Sequence, residues 1–309
     1  MNGLPKIIAI VGTNASGKSG LGVRLAKKYG GEVVSADSRQ VFAGLDLGSG
    51  KITPEETMGV PHHLIDVCAP GDFFSMADYQ RLAYRAIDDI LSRGRLPFLV
   101  GGTGLYLESV IEGYVLSDAA PDLAYRAQLE THTTPELYAM LKQIAPDTNV
   151  DPQNRNRVMR SLERIQAGDS GAEQKRPRYD VLRLGVTWDR KTLCQRIDER
   201  LERRLDQGMI SEVQRLMDAG VSDVFLRKLG LEYRYICEYL LGEISSREEM
   251  IDELSRAIKR FAKRQMTWFR RDPGILWLDM AADPFDQACR LIDQALAAGE
   301  SPSSAEQTV

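Results

Sequence analysis

Residues 12–19 read Gly12-Thr13-Asn14-Ala15-Ser16-Gly17-Lys18-Ser19, a G-x-x-x-x-G-K-S motif whose surroundings decide the fold. Upstream, Lys6-Ile7-Ile8-Ala9-Ile10-Val11 is a short apolar run rich in β-branched residues, which predicts a buried parallel strand. Downstream, Leu21, Val23, Leu25 and Ala26 read as a helix, with Lys27 and Lys28 near its end and Tyr29-Gly30-Gly31 stopping it. A glycine-rich loop between strand and helix makes a phosphate seat. Its backbone N–H groups can approach an anion, and the helix N-terminus adds positive potential. In that role Lys18 reaches the outer phosphate and the Ser19 hydroxyl helps to hold Mg²⁺. The motif alone leaves ATPases, GTPases and small-molecule kinases open.

Working outward, apolar runs recur at 32–36, 96–100, 181–187 and 275–278, between helical patterns. Strands alternating with helices predict an α/β protein, a P-loop NTPase-like parallel sheet flanked by helices. A capping box at Ser75 and Asp78 opens a helix that keeps its apolar spacing until Gly94. The middle differs: between Leu116 and Arg178 only helices are predicted, one from Thr134-Pro135 to before Pro146 and one from after Pro152 to Gly168. The expected organisation is therefore a core of residues 1–116 and 179–298, an all-helical insertion domain at 117–178, and a disordered tail at 299–309.

Composition narrows the classes. Of 309 residues, 43% are hydrophobic and 27% charged, ordinary for a globular chain. No apolar run approaches the roughly 18 residues of a membrane span, and no signal peptide precedes the first strand. Cys68, Cys194, Cys237 and Cys289 are far apart and form no C-x-x-C pair, which argues against a zinc module and fits a reducing cytoplasm. The net charge of −4 means that any polyanion would be met by local basic patches. A monomer without membrane attachment is the default expectation. His62-His63 make poor metal co-ligands, because adjacent strand side chains point opposite ways; one packed and one exposed ring is expected.

Two strand ends carry candidate chemistry. The run at 32–36 ends in Asp37-Ser38-Arg39-Gln40, and ligands of open α/β sheets bind beyond such ends. The run at 96–100 ends in Gly101-Gly102-Thr103, where a switch-type NTPase would place a metal-holding aspartate. That substitution counts against a motor or a GTPase. It suggests instead transfer of a group from a diphosphate, with Asp37 accepting a proton from an incoming amine and Thr103 orienting the substrate. A structural role remains open for each, Asp37 as a support to a metal ligand or a cap and Thr103 as the cap of the next helix.

A helix predicted from Ser245-Ser246 to before Pro273 places Leu254, Ile258, Phe261, Trp268 and Phe269 on one side. Arg256, Lys259, Arg260, Lys263, Arg264, Arg270 and Arg271 gather on the other, with no carboxylate between Arg256 and Arg271. A solvated face normally mixes signs, so this stripe points to a polyanion. Arg157, Arg160 and Arg164 form a weaker basic face within the insertion.

Together these pieces resemble the tRNA dimethylallyltransferases, also called tRNA isopentenyltransferases, of the bacterial type. The matching motifs are residues 12–19, S-A-D-S-R-Q-V-F at 35–42, G-L-D-L-G-S-G-K at 44–51 and P-H-H-L-I-D at 61–66. G-G-T-G-L-Y at 101–106, R-V-M-R-S-L-E at 157–163 and A-K-R-Q-M-T-W-F-R-R at 262–271 complete the set, in family order across nearly the whole chain. The resemblance implies that Gly12, Thr13, Asn14, Ala15, Ser16, Gly17, Lys18 and Ser19 hold dimethylallyl diphosphate. It implies prenylation of the exocyclic amine of the adenosine 3′ to the anticodon in tRNAs reading U-starting codons. By position Asp37 looks like the general base and Thr103 its partner. Asp37, Ser38, Arg39, Gln40, Thr103, Asn156, Arg157, Val158, Met159 and Arg160 look like tRNA-contacting residues, joined by Lys259, Lys263 and Arg264 of the stripe. The insertion looks like the arm gripping the anticodon stem, and Arg227 resembles an arginine that steadies the diphosphate in some relatives. Departures include Thr13-Asn14 for a usual Pro-Thr, Ser19 for a common Thr, Gly48-Ser49-Gly50-Lys51 for a frequent G-T-A-K, and Leu229-Gly230-Leu231-Glu232-Tyr233 for a more common I-G-Y.

Rival readings are an adenylate isopentenyltransferase acting on free AMP, ADP or ATP, a P-loop small-molecule kinase, and a non-catalytic RNA-binding protein. The basic stripe and insertion disfavour the first, the missing aspartate the second, and the intact Asp37, Thr103 and Lys18 the third.

Overall fold

The computed structural model describes residues 3–116, 122–168 and 174–299. It divides into two compact units, Met1–Gly113 with Pro177–Val309, and Tyr114–Arg176. The tail expected from residue 299 lies outside the described residues except for Gly299, which ends the last helix.

In the larger unit the chain runs β1 (Lys6–Gly12), α1 (Lys18–Lys28), β2 (Glu32–Ala36), β3 (His62–His63), α2 (Met76–Ser92), β4 (Pro97–Gly101) and α3 (Gly104–Ile111). The smaller unit supplies α4 (Leu123–Glu130), α5 (Thr134–Ile144) and α6 (Arg155–Gln166). The chain then continues through β5 (Asp180–Thr187), α7 (Arg190–Asp206), α8 (Met209–Asp218), α9 (Asp223–Leu229), α10 (Leu231–Leu240) and α11 (Arg247–Phe269). It closes with β6 (Ile275–Asp279), a 3₁₀ turn and α12 (Phe285–Gly299).

The strands pair in the order β3-β2-β4-β1-β5-β6, all parallel. Strand pleating sends alternate side chains of β1 to opposite faces. Ile7, Ala9 and Val11 pack with Tyr79, Ala83 and Ile87 of α2 and Val110 of α3. Ile8 and Ile10 pack with Leu21 and Leu25 of α1 and Ile292 of α12. Both faces are covered, which is why β1 reads as an unbroken apolar run rather than an alternating one. Helices α7 to α11 build a separate core around Tyr233, Ile236, Leu254 and Ile258, into which Val41, Phe42 and Leu45 insert from the segment after β2.

The capping box of α2 is complete, with Ser75 and Asp78 exchanging side-chain and backbone bonds. β3 is a two-residue edge strand too short to stand out as a period. Both its histidines are half-buried, not one packed and one exposed: the His62 ring meets the Val60 carbonyl at 2.8 Å and His63 meets Glu32 at 2.7 Å. The smaller unit holds one helix more than expected, α4, and an isolated antiparallel bridge between Tyr114 and Lys175 closes its two ends. Its own core is Leu129, Leu137, Leu141, Val158, Met159 and Leu162. Among the described residues no helix is long and apolar enough to cross a membrane.

Candidate active site

The carboxyl ends of β1, β2 and β4 converge because these strands are neighbours in the sheet, and the connections leave them for different faces. The loop after β1 turns through Ala15 at φ 58° and Gly17 at φ 87° before α1 begins. Glycine is required at 12, where a Cβ would fall 2.6 Å from Val186 and 2.8 Å from the Ser16 hydroxyl. Ser16 donates to the Thr13 carbonyl at 2.8 Å, closing the loop on itself. Lys18, the first residue of α1, folds back and donates to the same carbonyl at 3.2 Å. Burial pushes its ammonium down to about 8; Asp37 opposes that shift, and Arg200, Arg39 and Arg204 reinforce it.

Residues far away in sequence hold this loop from outside. The side-chain oxygen of Gln265, on α11, accepts from the Asn14 N–H at 3.0 Å, and its amide donates to the Gly102 carbonyl at 2.9 Å. One buried side chain thus ties the phosphate loop to the end of β4. Trp188 donates to the Ser16 carbonyl and Arg196 to the Ala15 carbonyl, each at 3.0 Å, and the Arg196 guanidinium lies 4.6 Å from the Trp188 ring centre. None of these three clamps was singled out from sequence, since only the packing of α7 and α11 against the sheet brings them within reach.

Asp37 follows β2 directly, is 9% exposed, and accepts from the Arg39 N–H at 3.0 Å. Thr103 sits at the N-cap position of α3, but its hydroxyl makes no capping bond. It accepts instead from the Ser38 N–H at 3.0 Å and meets the Ser38 hydroxyl at 3.3 Å, joining the ends of β2 and β4. Glycine at 101 permits that approach, because a Cβ there would overlap the Ala36 carbonyl.

A pocket of about 430 Å³ opens over these strand ends. Asn14, Ala15, Ser16, Gly17, Lys18 and Ser19 line it with Asp37, Arg39 and Gln40. Arg196, Glu199, Arg200, Arg203 and Arg204 of α7, with Glu56 and with Glu232 of α10, complete the charged part of the wall. The α7 arginines are functional candidates that the sequence reading missed. Their signal was present as a cationic run on a helix, but it resembles an ordinary solvated face until the helix is packed.

Several expected site residues are placed elsewhere. Arg227 is not at this pocket: its guanidinium is held by Glu243 at 2.5 and 2.7 Å, with Asp223 3.5 Å and Glu238 3.7 Å away. Val158 and Met159 are buried in the small unit's core, so their side chains are not available to RNA, whereas Asn156, Arg157 and Arg160 are exposed. Arg160 also pairs with Glu163 at 3.2 Å. On α11, Lys263 and Arg264 are exposed as expected, with Arg264 5.5 Å from the Phe261 ring centre. Lys259 is ion-paired with Asp198 at 2.6 Å. The stripe lacks carboxylates along its own helix, but α7 brings one to it through space.

Among the described residues no group of three or more His, Cys, Asp or Glu side chains could hold a metal ion. The Ser19 hydroxyl, exposed on the first turn of α1 and lining the pocket, is one protein oxygen. Mg²⁺ commonly binds through one or two protein ligands plus substrate phosphates and waters, so the donor set fits a metal that arrives with a diphosphate.

Fold and site together define a P-loop protein whose β4 ends in glycines and threonine instead of a metal-holding aspartate. A family model described as IPP transferase matches residues 40–272, and one described as isopentenyl transferase matches residues 5–69. The chain is 42% identical to the tRNA dimethylallyltransferase of Anoxybacillus flavithermus over 90% of its length and 91% of that protein's. It is 44% identical to tRNA dimethylallyltransferase 2 of Pelobacter propionicus over 93% of each. The solved full-length tRNA isopentenylpyrophosphate transferase of Bacillus halodurans superposes with a TM-score of 0.74 at 40% identity, covering 95% of this chain and 97% of that one. This chain belongs to the IPP transferase family.

Proposed function

We propose that this protein transfers a dimethylallyl group from dimethylallyl diphosphate to the exocyclic amine of the adenosine 3′ to the anticodon, in tRNAs reading U-starting codons, and releases diphosphate. The observation that carries this is the convergence of Lys18, Asp37 and an arginine-rich pocket of about 430 Å³ at the ends of β1 and β2, in a chain 42–44% identical to curated tRNA dimethylallyltransferases over most of its length.

The loop amides and Lys18 bind the diphosphate and stabilise the charge it gains on leaving. The amine nitrogen forms a bond to the allylic C1 as the C1–O bond breaks, and the bonding pair departs with the diphosphate. The displaced N–H proton passes to the Asp37 carboxylate. Thr103, tied to Ser38, fixes the edge of β2 on which Asp37 sits. Mg²⁺, held by Ser19 and the phosphate oxygens, would supply further charge neutralisation. The adenine must leave its stack, at a cost of a few kcal/mol that is smallest in a single-stranded loop. Lys263 and Arg264 on α11, and Arg157 on α6, are the exposed cations we assign to RNA backbone contacts.

The test is to incubate the protein with Mg²⁺, labelled dimethylallyl diphosphate and either anticodon stem-loop RNA or AMP. Label on the RNA alone is expected. Label on AMP alone would replace this reading with the adenylate isopentenyltransferase.

A further inference from the structure

Gln265 does more than fasten a loop, because of the two backbone groups it meets. It is 7% exposed, and its partners lie 251 and 163 residues away in sequence. Its amide orientation is fixed by those partners: only the oxygen can accept from the Asn14 N–H, and only the nitrogen can donate to the Gly102 carbonyl.

A peptide unit is planar and trans, so its C=O and N–H point opposite ways and a bond at one end orients the other. The unit joining Thr13 to Asn14 gives its N–H to Gln265. Its carbonyl accepts from Lys18 Nζ at 3.2 Å and from the Ser16 hydroxyl at 2.8 Å. The unit joining Gly102 to Thr103 gives its carbonyl to Gln265, and its N–H donates to the Ala36 carbonyl at 3.1 Å. That carbonyl belongs to the peptide unit whose N–H is that of Asp37. Three peptide planes and one side chain therefore run in series from Lys18 to Asp37. Thr103 secures the far end by accepting from the Ser38 N–H.

The surroundings give this series little slack. A Cβ on Gly102 would fall 2.8 Å from the Gln265 nitrogen, 3.2 Å from the Gly12 carbonyl and 3.4 Å from Lys18 Nζ. The helix that carries Gln265 is anchored on both sides, Ala262 in the core of α7 to α11 and Phe269 in the core beneath α2 and α3. Asparagine would be one carbon short of spanning both partners. A carboxylate would offer the Gly102 carbonyl no donor and would bring a charge beside Lys18.

We propose that Gln265 is a positioning residue for the transfer, setting the separation between the leaving group at Lys18 and the base at Asp37 by acting through the peptide units rather than on a substrate. The assignment rests on the transferase reading above. Misplacement of reacting groups by about 1 Å is enough to cost on the order of 10²-fold in rate.

The test is single-turnover prenylation of anticodon stem-loop RNA at saturating dimethylallyl diphosphate, with wild type, Gln265→Met, Thr103→Ala and the double variant. Gln265→Met keeps the length of the side chain and loses both bonds, and should slow transfer by about 10- to 100-fold. Inorganic diphosphate affinity, read by calorimetry, should stay near wild type, because Trp188 and Arg196 still hold the loop. Stem-loop affinity should also be retained. Gln265→Met and Thr103→Ala loosen the same series, so the double variant should lose clearly less than the product of the two single losses, which independent packing defects would not produce. Should Gln265→Met prove unfolded, Gln265→Asn decides by the same cycle. A wild-type rate in the folded variant, losses that multiply, or diphosphate binding weakened as much as the rate would each overturn this proposal alone. Absence of transfer to RNA by the wild type would overturn the transferase reading instead.

Discussion

Helix α11 shows its two sides to two different problems. Its inner face carries Gln265, buried and bonded at both ends, which joins the phosphate loop to Gly102. Its outer face carries Lys263 and Arg264, exposed and free of any ion pair among the described residues. The inner contact works by geometry, in a dry setting where a missing partner costs about 1–3 kcal/mol. Contacts proposed for the outer face would work through charge in water, where each is individually weak and screened by salt. On the proposed function, chemistry belongs where side chains are fixed and RNA affinity where charges are exposed.

The largest effect that would separate the two regions belongs to Asp37. Asp37→Ala should lower single-turnover prenylation by about 10²–10⁴-fold, the usual worth of a positioned base, with RNA affinity unchanged. Thr103→Ala should act in the same direction and less strongly. Unchanged rates would remove both residues from the mechanism and erase the contrast.

Next in size is a pH effect confined to the pocket. The Lys18 ammonium is held near 8, below its free value, so the neutral amine takes over as pH rises through that point. Anion binding favours the cation. Diphosphate affinity should therefore be full below about 8 and fall above it, by roughly tenfold per pH unit for one coupled proton. Arg200, whose ordinary value burial lowers, also faces Lys18. Asp37, Arg39 and Arg204 also face Lys18, and Lys18→Arg tests the assignment because it should flatten the step between 8 and 9. An unaltered profile in Lys18→Arg would show that another group titrates.

The smallest effects lie on the outer face. Replacing Lys263 or Arg264 by alanine should reduce the slope of log K against log salt by about 0.7 each, the figure for a single-strand phosphate contact. Lys259→Ala should change it less, because Asp198 already holds that ammonium. Equal slopes for all three would mean that the ion pair opens when RNA binds. A slope matching wild type in Lys263→Ala and Arg264→Ala would retire the stripe.

Much of the larger unit was legible because its signals are local. The run at 6–11 could be read as buried on both faces, and the capping box at Ser75 and the glycine-rich loop each carry their meaning within a few residues. β3 escaped notice because two residues make no period, and α4 because it spans only eight residues, although Asp122 caps its start. Site residues split along the same line. Lys18, Asp37 and Thr103 could be placed by their position after a strand. Gln265, Trp188 and Arg196 could not, because each acts on a backbone atom more than 160 residues away.

Arg227 shows the reverse case. Its place in a motif suggested a phosphate contact, but three carboxylates of α9, α10 and the following turn surround it. Sequence by itself determined the parallel sheet, the phosphate loop and the residues at its strand ends, since hydrophobic period and backbone freedom are properties of neighbouring residues. Tertiary structure alone decided which cations meet in the pocket and which are neutralised by a carboxylate from another helix. Charges act through space, and their balance is set by which helices pack together.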